Sequence, residues 1–312
     1  MSGKRRRPGS HHGPVMFSAI AITLVGLVLV SLRLMPGSPL HPTTTSHQAV
    51  ASGRSTGTPT DRSSRAQPTP SPSPSLEPLP FTAQDLDSLD IKGWYSWAVL
   101  DKRTGKVIGS KNMAETSTTA SLIKAWVVAD YLRLSAAAGK TPSDVKLAEA
   151  TKIIRDSDNT LAEQFYNSVG RAESIKRLIK TCGLTDSKVA SDGGWSRTNL
   201  SPRDTARLGL CIDDGRAAGP KWTKWLINEM RLVRGTGDFG IRKAFPAAEQ
   251  KTIAIKNGWI NRDREREMHI NCLAIGDTWT MGVMVRYPVN IGWEYGMKNC
   301  ERITEALLRP AS

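Results

Sequence analysis

Histidine is nearly missing from the part of this chain that has the composition of a folded domain. His11, His12, His41 and His47 all fall before residue 50, which leaves His269 alone beyond residue 80. A Ser-His-Asp triad needs an imidazole beside its serine, and His269 sits in a strand-like stretch where it reads as an ordinary half-buried side chain. A serine enzyme built on this chain must therefore use another base, and lysine is the available one. Cysteine is scarce too. The four present, Cys182, Cys211, Cys272 and Cys300, form no Cys-x-x-Cys pair, and a single histidine does not complete a zinc site. No metal and no cofactor is expected. Lys and Arg nowhere cluster with aromatics in a nucleic-acid-binding module, so nucleic acid is not an expected partner.

What is present begins with an unusual N-terminal quarter. Lys4-Arg5-Arg6-Arg7 precedes an uncharged apolar run from Val15 to Leu32, which approaches the length needed to cross a bilayer. Positive charge on the near side keeps the N-terminus cytoplasmic and sends the rest out. Residues 1–14 are thus expected to be a basic cytoplasmic tail and residues 15–35 a single-pass signal-anchor helix in the cell membrane. Secretion after cleavage is the alternative; Ala49-Val50-Ala51 resembles a cleavage site but lies far beyond the run. Residues 36–80 are rich in Pro, Ser and Thr, ending in Pro68-Thr69-Pro70-Ser71-Pro72-Ser73-Pro74. Such a linker buries too little to offset its ordering entropy. Residues 81–312 remain for one domain outside the membrane.

Charge and cysteine agree with that placement. Residues 1–80 carry eight Lys or Arg against two acids, so six of the net fourteen positive charges belong to the tail and eight to the domain. A moderately basic exported domain suits acidic polymers or carboxylate substrates. All four cysteines lie in the exported part, where an oxidising compartment allows two disulfides. Sequence order suggests Cys182 with Cys211 and Cys272 with Cys300, with four buried thiols as the alternative; oligomeric state is not legible.

Within the domain, Thr82 to Leu89 has the pattern of a short capped helix. Gly93 to Leu100 alternates as a strand should, and a turn at Arg103-Thr104-Gly105-Lys106 leads to a partner around Val107 to Ser110. Helical patterning runs from Ser121 to about Leu210, broken at Gly139-Lys140-Thr141-Pro142 and at Ser191-Asp192-Gly193-Gly194. Strand patterns return at Lys251 to Trp259, Glu267 to Ile275 and Trp279 to Tyr287, and Glu294 to Leu308 looks helical. Strands at both ends of the domain with helices between imply an α+β fold, one sheet built from distant segments.

One lysine in this pattern needs a reason. Thr118 to Ala129 is too apolar to face water, yet it contains Lys124. A helix starting near Ser121 puts Ser121 and Lys124 on one face. Burial and a second nearby cation would strip the amine of its proton, and the amine would then activate the serine as a nucleophile. The bland alternative is an N-cap serine with a lysine that reaches the surface. Two later stretches bear on the choice: Ser157-Asp158-Asn159 opens a helical run, and Lys256-Asn257-Gly258 lies on an apolar strand.

Ser121-Leu122-Ile123-Lys124, Ser157-Asp158-Asn159 and Lys256-Asn257-Gly258, in this order, resemble the penicillin-recognising serine hydrolases: class A β-lactamases and penicillin-binding D,D-peptidases. The resemblance covers roughly residues 82 to 308, with Ser157 to Gly170 and Arg234 to Pro246 reading like the family's flanking segments. It implies a three-layer fold, an antiparallel sheet flanked by helices, beside a helical subdomain. By the same resemblance Ser121 attacks a β-lactam or a D-Ala-D-Ala-like amide of a peptidoglycan stem peptide, and Lys124 takes its proton. Ser157 relays a proton to the leaving nitrogen with help from Lys256, and Asn159 contacts substrate or holds Lys124. Backbone N–H groups of Ser121 and Trp259 would form the oxyanion hole. Asn257, Gly258 and Trp259 would line the substrate strand, Gly258 by letting substrate backbone come close; Asp158 reads as structural.

The chain also departs from that family. The loop that carries a water-activating glutamate in class A β-lactamases corresponds to Val189 to Pro202, which has no glutamate, and Asp192 beside Gly193-Gly194 reads as a turn former. Asn257 replaces a hydroxyl residue, although an amide can still donate to a carboxylate. The segment from Lys124 to Ser157 is short, so a more open site is expected. The alternative reading is a non-catalytic cell-wall-binding or sensing domain that uses Trp195, Trp222, Trp225, Trp259 and Trp293 as a gripping surface.

Overall fold

The computed structural model describes residues 76–308 apart from 84, 85, 87 and 88. The expected basic tail, the apolar run at 15–35 and the linker up to residue 75 lie outside the described residues. The chain divides into two units, residues 1–72 and 73–312, and the second is the one described below. No helix among the described residues is long and apolar enough to cross a membrane.

The second unit opens with a hairpin, β1 (Trp94–Asp101) and β2 (Val107–Gly109), followed by the two-residue strand β3 (Ser117–Thr118). Helices come next: α1 (Lys124–Ala137), α2 (Asp144–Arg155), α3 (Asn159–Ser168) and α4 (Ala172–Cys182). After β4 (Asn199–Leu200) follow α5 (Pro202–Asp213) and α6 (Thr223–Arg231), then β5 (Ala254–Ile255), β6 (Gly258–Arg262), β7 (Glu267–Ile275), β8 (Trp279–Pro288) and the final helix α7 (Trp293–Leu307). The main sheet is antiparallel throughout in the order β2-β1-β8-β7, with β5 and β6 both paired to the outer side of β7.

The sheet is covered on both faces. On β8, Gly282 lies so close to α5 that a Cβ there would sit 2.6 Å from Pro202 O, and Thr280 donates to Ala206 O at 2.7 Å. The other face of β8 meets α7, where Thr304 contacts Met281 and Gly296 packs on Tyr287 and Ile270. Hence nearly every residue of β7 and β8 is buried, the pattern of strands packed on both sides. Helices, sheet and helix make the three-layer α+β architecture, with α1 to α4 forming the helical part beside it.

Local sequence explains where the helices begin. Ser143, Asp158 and Ser201 accept from the backbone N–H groups of Lys146, Leu161 and Asp204, and Pro202 follows its cap as the first residue of α5. The helix expected from Thr82 is not present at Thr82, Ala83 or Leu86. Phe81 is instead buried edge-on against Trp279, with ring centroids 4.9 Å apart, and bridges to Leu308, which pulls the segment along the layers. Cys182 on α4 is bonded to Cys211 on α5, and Cys272 on β7 to Cys300 on α7.

Candidate active site

Ser121 sits in a 3₁₀ turn, Ala120–Ile123, that runs directly into α1. Ala120 before it has φ of 47°, a left-handed conformation that a non-glycine residue holds only where its surroundings insist. The surroundings are mostly backbone. Thr119 N–H donates to Thr198 O at 2.9 Å, Asn271 Nδ2 donates to Thr118 O at 2.9 Å, and Gly258 presses on the turn from β6. A Cβ at 258 would collide with Thr119 O and lie 2.6 Å from Leu122 N and 2.8 Å from Ser121 N. The glycine of the Lys-x-Gly set is thus required by the approach of the strand to the Ser121 turn, a reason that differs from the expected one.

Lys124 opens α1 and is wholly buried. Its ammonium donates to Ser157 O at 2.5 Å, Ser157 Oγ at 3.2 Å and Asn159 Oδ1 at 2.6 Å. Lys256, also wholly buried, lies between β5 and β6 and donates to the same Ser157 Oγ at 3.1 Å and to Asn257 O at 3.1 Å. Ser157 itself has φ of 60°, in the turn where α2 ends and α3 begins. Burial holds the Lys124 pKa down to about 7, with Asp158 pulling the other way. Burial, and then the nearby Lys124 charge, put Lys256 well below the ordinary lysine range. Two buried amines sharing one hydroxyl with no carboxylate bonded to either favour a neutral lysine near neutral pH.

The three motifs therefore meet, with differences in detail. Lys124 bonds to Ser157 and Asn159, and a bond to Ser121 Oγ is not among its contacts. Asn257, expected to face substrate, turns away: it is buried and donates to Gly237 O at 3.1 Å and Phe239 O at 2.7 Å, so both its N–H groups are spent on the loop before the strand. Trp259 is half-buried and edge-on to Phe239 at 5.8 Å. Asp158 caps α3.

His269 is buried, with Nδ1 near Thr118 Oγ1 at 2.8 Å and Ser117 Oγ at 3.1 Å and Nε2 near Glu267 at 3.1 Å. It braces the strand that leads to the Ser121 turn. Burial drives its pKa down to about 4, so it is neutral at physiological pH. Asp192 accepts from Gly194 N–H at 2.9 Å and pairs with Arg197 at 3.3 Å, as a turn former would. Sequence reasoning missed Trp195 as a site residue. Expected on a gripping surface, it turns inward, its ring centroid 5.0 Å from Lys124 Nζ. The other tryptophans form no common surface: Trp222 is buried against Trp225, and only Trp293 is exposed among the five. A large aromatic in a loop of Gly, Ser and Asp was the available signal.

Residues 138–307, more than half of the chain, match the model of the β-lactamase enzyme family. The chain belongs to that family. The matched region contains Ser157 to Asn159 and Lys256 to Gly258 but begins after Ser121 and Lys124, whose meeting with the other two sets is a matter of geometry. Among solved structures, the fold is similar to a class A β-lactamase from Mycobacterium abscessus, with TM-score 0.56 and 16% identity over 70% of this chain and 94% of that one. It is similar also to the TLA-3 extended-spectrum β-lactamase, with 0.58 and 15% over 70% and 95%. A class A β-lactamase from Bacteroides cellulosilyticus gives 0.57 and 17% over 70% and 94%. These likenesses establish the β-lactamase fold. By sequence, no curated protein matches the chain.

Proposed function

We propose that this member of the β-lactamase family is a serine acyl-enzyme former acting on β-lactams or on D-Ala-D-Ala-like peptidoglycan peptides. The observation that carries this reading is the Ser157 hydroxyl, within 3.2 Å of Lys124 Nζ, which lies one turn after Ser121, and 3.1 Å of Lys256 Nζ from the Lys-x-Gly set. In the reaction, neutral Lys124 takes the proton of Ser121 as its Oγ bonds to the substrate carbonyl carbon. The carbon–nitrogen bond breaks, the electron pair leaves with nitrogen, and nitrogen receives a proton through Ser157. An ester on Ser121 remains. The backbone N–H groups of Ser121 and Trp259 are the proposed donors to the oxyanion.

The domain works outside the cell membrane in this reading, tethered by residues 15–35 and the linker to residue 80. The basic residues ahead of the apolar run and two disulfides suited to an oxidising compartment support it. Treating the full-length chain with a fluorescent penicillin tests the chemistry: wild type acquires one covalent label on Ser121 and Ser121→Ala none, and an unlabelled wild type overturns the proposal.

One observation favours a second reading, a wall-binding or sensing domain without turnover: the Lys124 ammonium is held by Ser157 and Asn159 and not by Ser121. Equal pull-down on peptidoglycan by wild type and Ser121→Ala, with hydrolysis by neither, is its signature.

A further inference from the structure

A buried base stays neutral only while water is kept from it, and the residue that covers Lys124 comes from none of the three motifs. Trp195 lies in a short 3₁₀ turn, Trp195–Arg197, with its ring 5.0 Å from the Lys124 Nζ. The indole is aimed: its Nε1 donates to Glu163 Oε2 on α3 at 2.8 Å, and Arg171 holds the other oxygen of that carboxylate at 2.7 Å. The loop is tied down around it. Tyr166 OH donates to Gly193 O at 3.0 Å, Arg262 on β6 donates to Ser196 O, and Thr119 N–H, two residues before Ser121, donates to Thr198 O at 2.9 Å. The one acid of this loop, Asp192, is occupied by Gly194 N–H and Arg197. What the loop presents to the amine is therefore an indole and not a carboxylate.

Building on the acyl-enzyme reading above, we propose that Trp195 is a positioning residue that seals Lys124 from solvent and withholds water from the Ser121 ester, so that the acyl-enzyme is long-lived. The ring and the neutral acceptors on Ser157 and Asn159 enclose the amine. Lys256 and Asp158 are the charged groups that face it, and Glu163 stands behind the indole. The loop's charges are paired away from the amine, Asp192 with Arg197 at 3.3 Å and Arg197 also with Glu265 at 3.6 Å. Hydrolysis of the ester, in which water adds to the carbonyl and the Ser121 oxygen leaves with a proton, is the step held back.

The test follows a β-lactam adduct on the full-length chain by intact mass, from pH 5 to 9, in wild type, Trp195→Ala and Trp195→Phe. In Trp195→Ala the adduct decays at least about tenfold faster, and the acid limb of the acylation profile moves to higher pH because water now reaches the ammonium. Trp195→Phe, which keeps an apolar cover, stays within about threefold of wild type. Glu163→Ala, at an exposed carboxylate, frees the ring without removing it and shifts both readouts in the direction of Trp195→Ala. Acetic anhydride labelling of Lys124 reads the seal without any acylation of Ser121, rising at least about fivefold in Trp195→Ala. Unchanged Lys124 labelling in Trp195→Ala and Glu163→Ala overturns the inference. A wild type that takes no β-lactam adduct overturns the acyl-enzyme reading alone, since the labelling still decides whether Trp195 is a seal.

Discussion

Helix α1 buries two charged side chains, Lys124 and Asp130, and treats them in opposite ways. Asp130 receives Arg177 at 2.6 Å, Ser174 Oγ at 2.7 Å and a close contact from Arg133, so its charge is matched on the spot. Ser174 in turn accepts from Trp126 Nε1 at 3.0 Å, which locks α4 to α1. Lys124, less than two turns away, has neutral acceptors, an indole and a second amine within reach. A buried charge with its counter-charge in place holds the fold together, whereas a buried charge left with neutral partners has its proton affinity moved towards neutrality and is free to do chemistry. The contrast makes Lys124 a candidate for chemistry on physical grounds alone.

The sharpest way to break this comparison is to remove the amine. Lys124→Met is expected to lower the β-lactam labelling rate by about a thousandfold, within the range for loss of a general base. Wild-type labelling should rise as pH passes upward through about 7, the value to which burial holds Lys124, and level off above it. A rate independent of pH between 5 and 9 would remove Lys124 from the role of base.

Stability separates the two residues next. Asp130→Ala leaves Arg177 and Arg133 facing a partly buried gap and should cost about 3 kcal/mol in denaturant unfolding. Lys124→Met should have the reverse sign, gaining about 2 kcal/mol at pH 6. The sign follows from linkage. The folded pKa of Lys124 lies below its unfolded value, so wild-type stability is fullest above about 10.5 and falls as pH drops towards about 7. The advantage of the methionine variant therefore grows over that window and is flat below it. Two destabilising variants of equal size would mean that both charges are structural.

The smallest expected effect concerns Asn257. Asn257→Ala strands the carbonyls of Gly237 and Phe239 and should cost about 1–2 kcal/mol in thermal unfolding. Its labelling rate per folded molecule should stay within about twofold of wild type, since the side chain's N–H groups are spent on Gly237 and Phe239. A large fall in that rate with stability unchanged would return Asn257 to the substrate.

The sequence was most legible where periodicity was long. Strands β7 and β8 and helix α7 run for nine residues or more, enough for alternation or helical spacing to declare itself. Strands β3 and β4 have two residues each, too few to show a period, yet they fasten the segment just ahead of Ser121 to the loop carrying Trp195. The helical run expected from Ser121 to Leu210 is also interrupted around Ser157 and Arg171, where non-glycine residues take positive φ that no propensity announces. The site motifs were readable because a lysine in an apolar stretch is costly and stands out. The heading of Asn257 and of Trp195 was not, because the face of a strand or loop does not say which distant loop or helix will meet it.

The meeting of Gly258 with the Ser121 turn is a junction of main chain on main chain. Peptide planes do not swap rotamers, so the spacing between the serine turn and the strand is set by backbone and not by side chains. A single methyl group at 258 would act as a shim, prising the serine turn away from the strand.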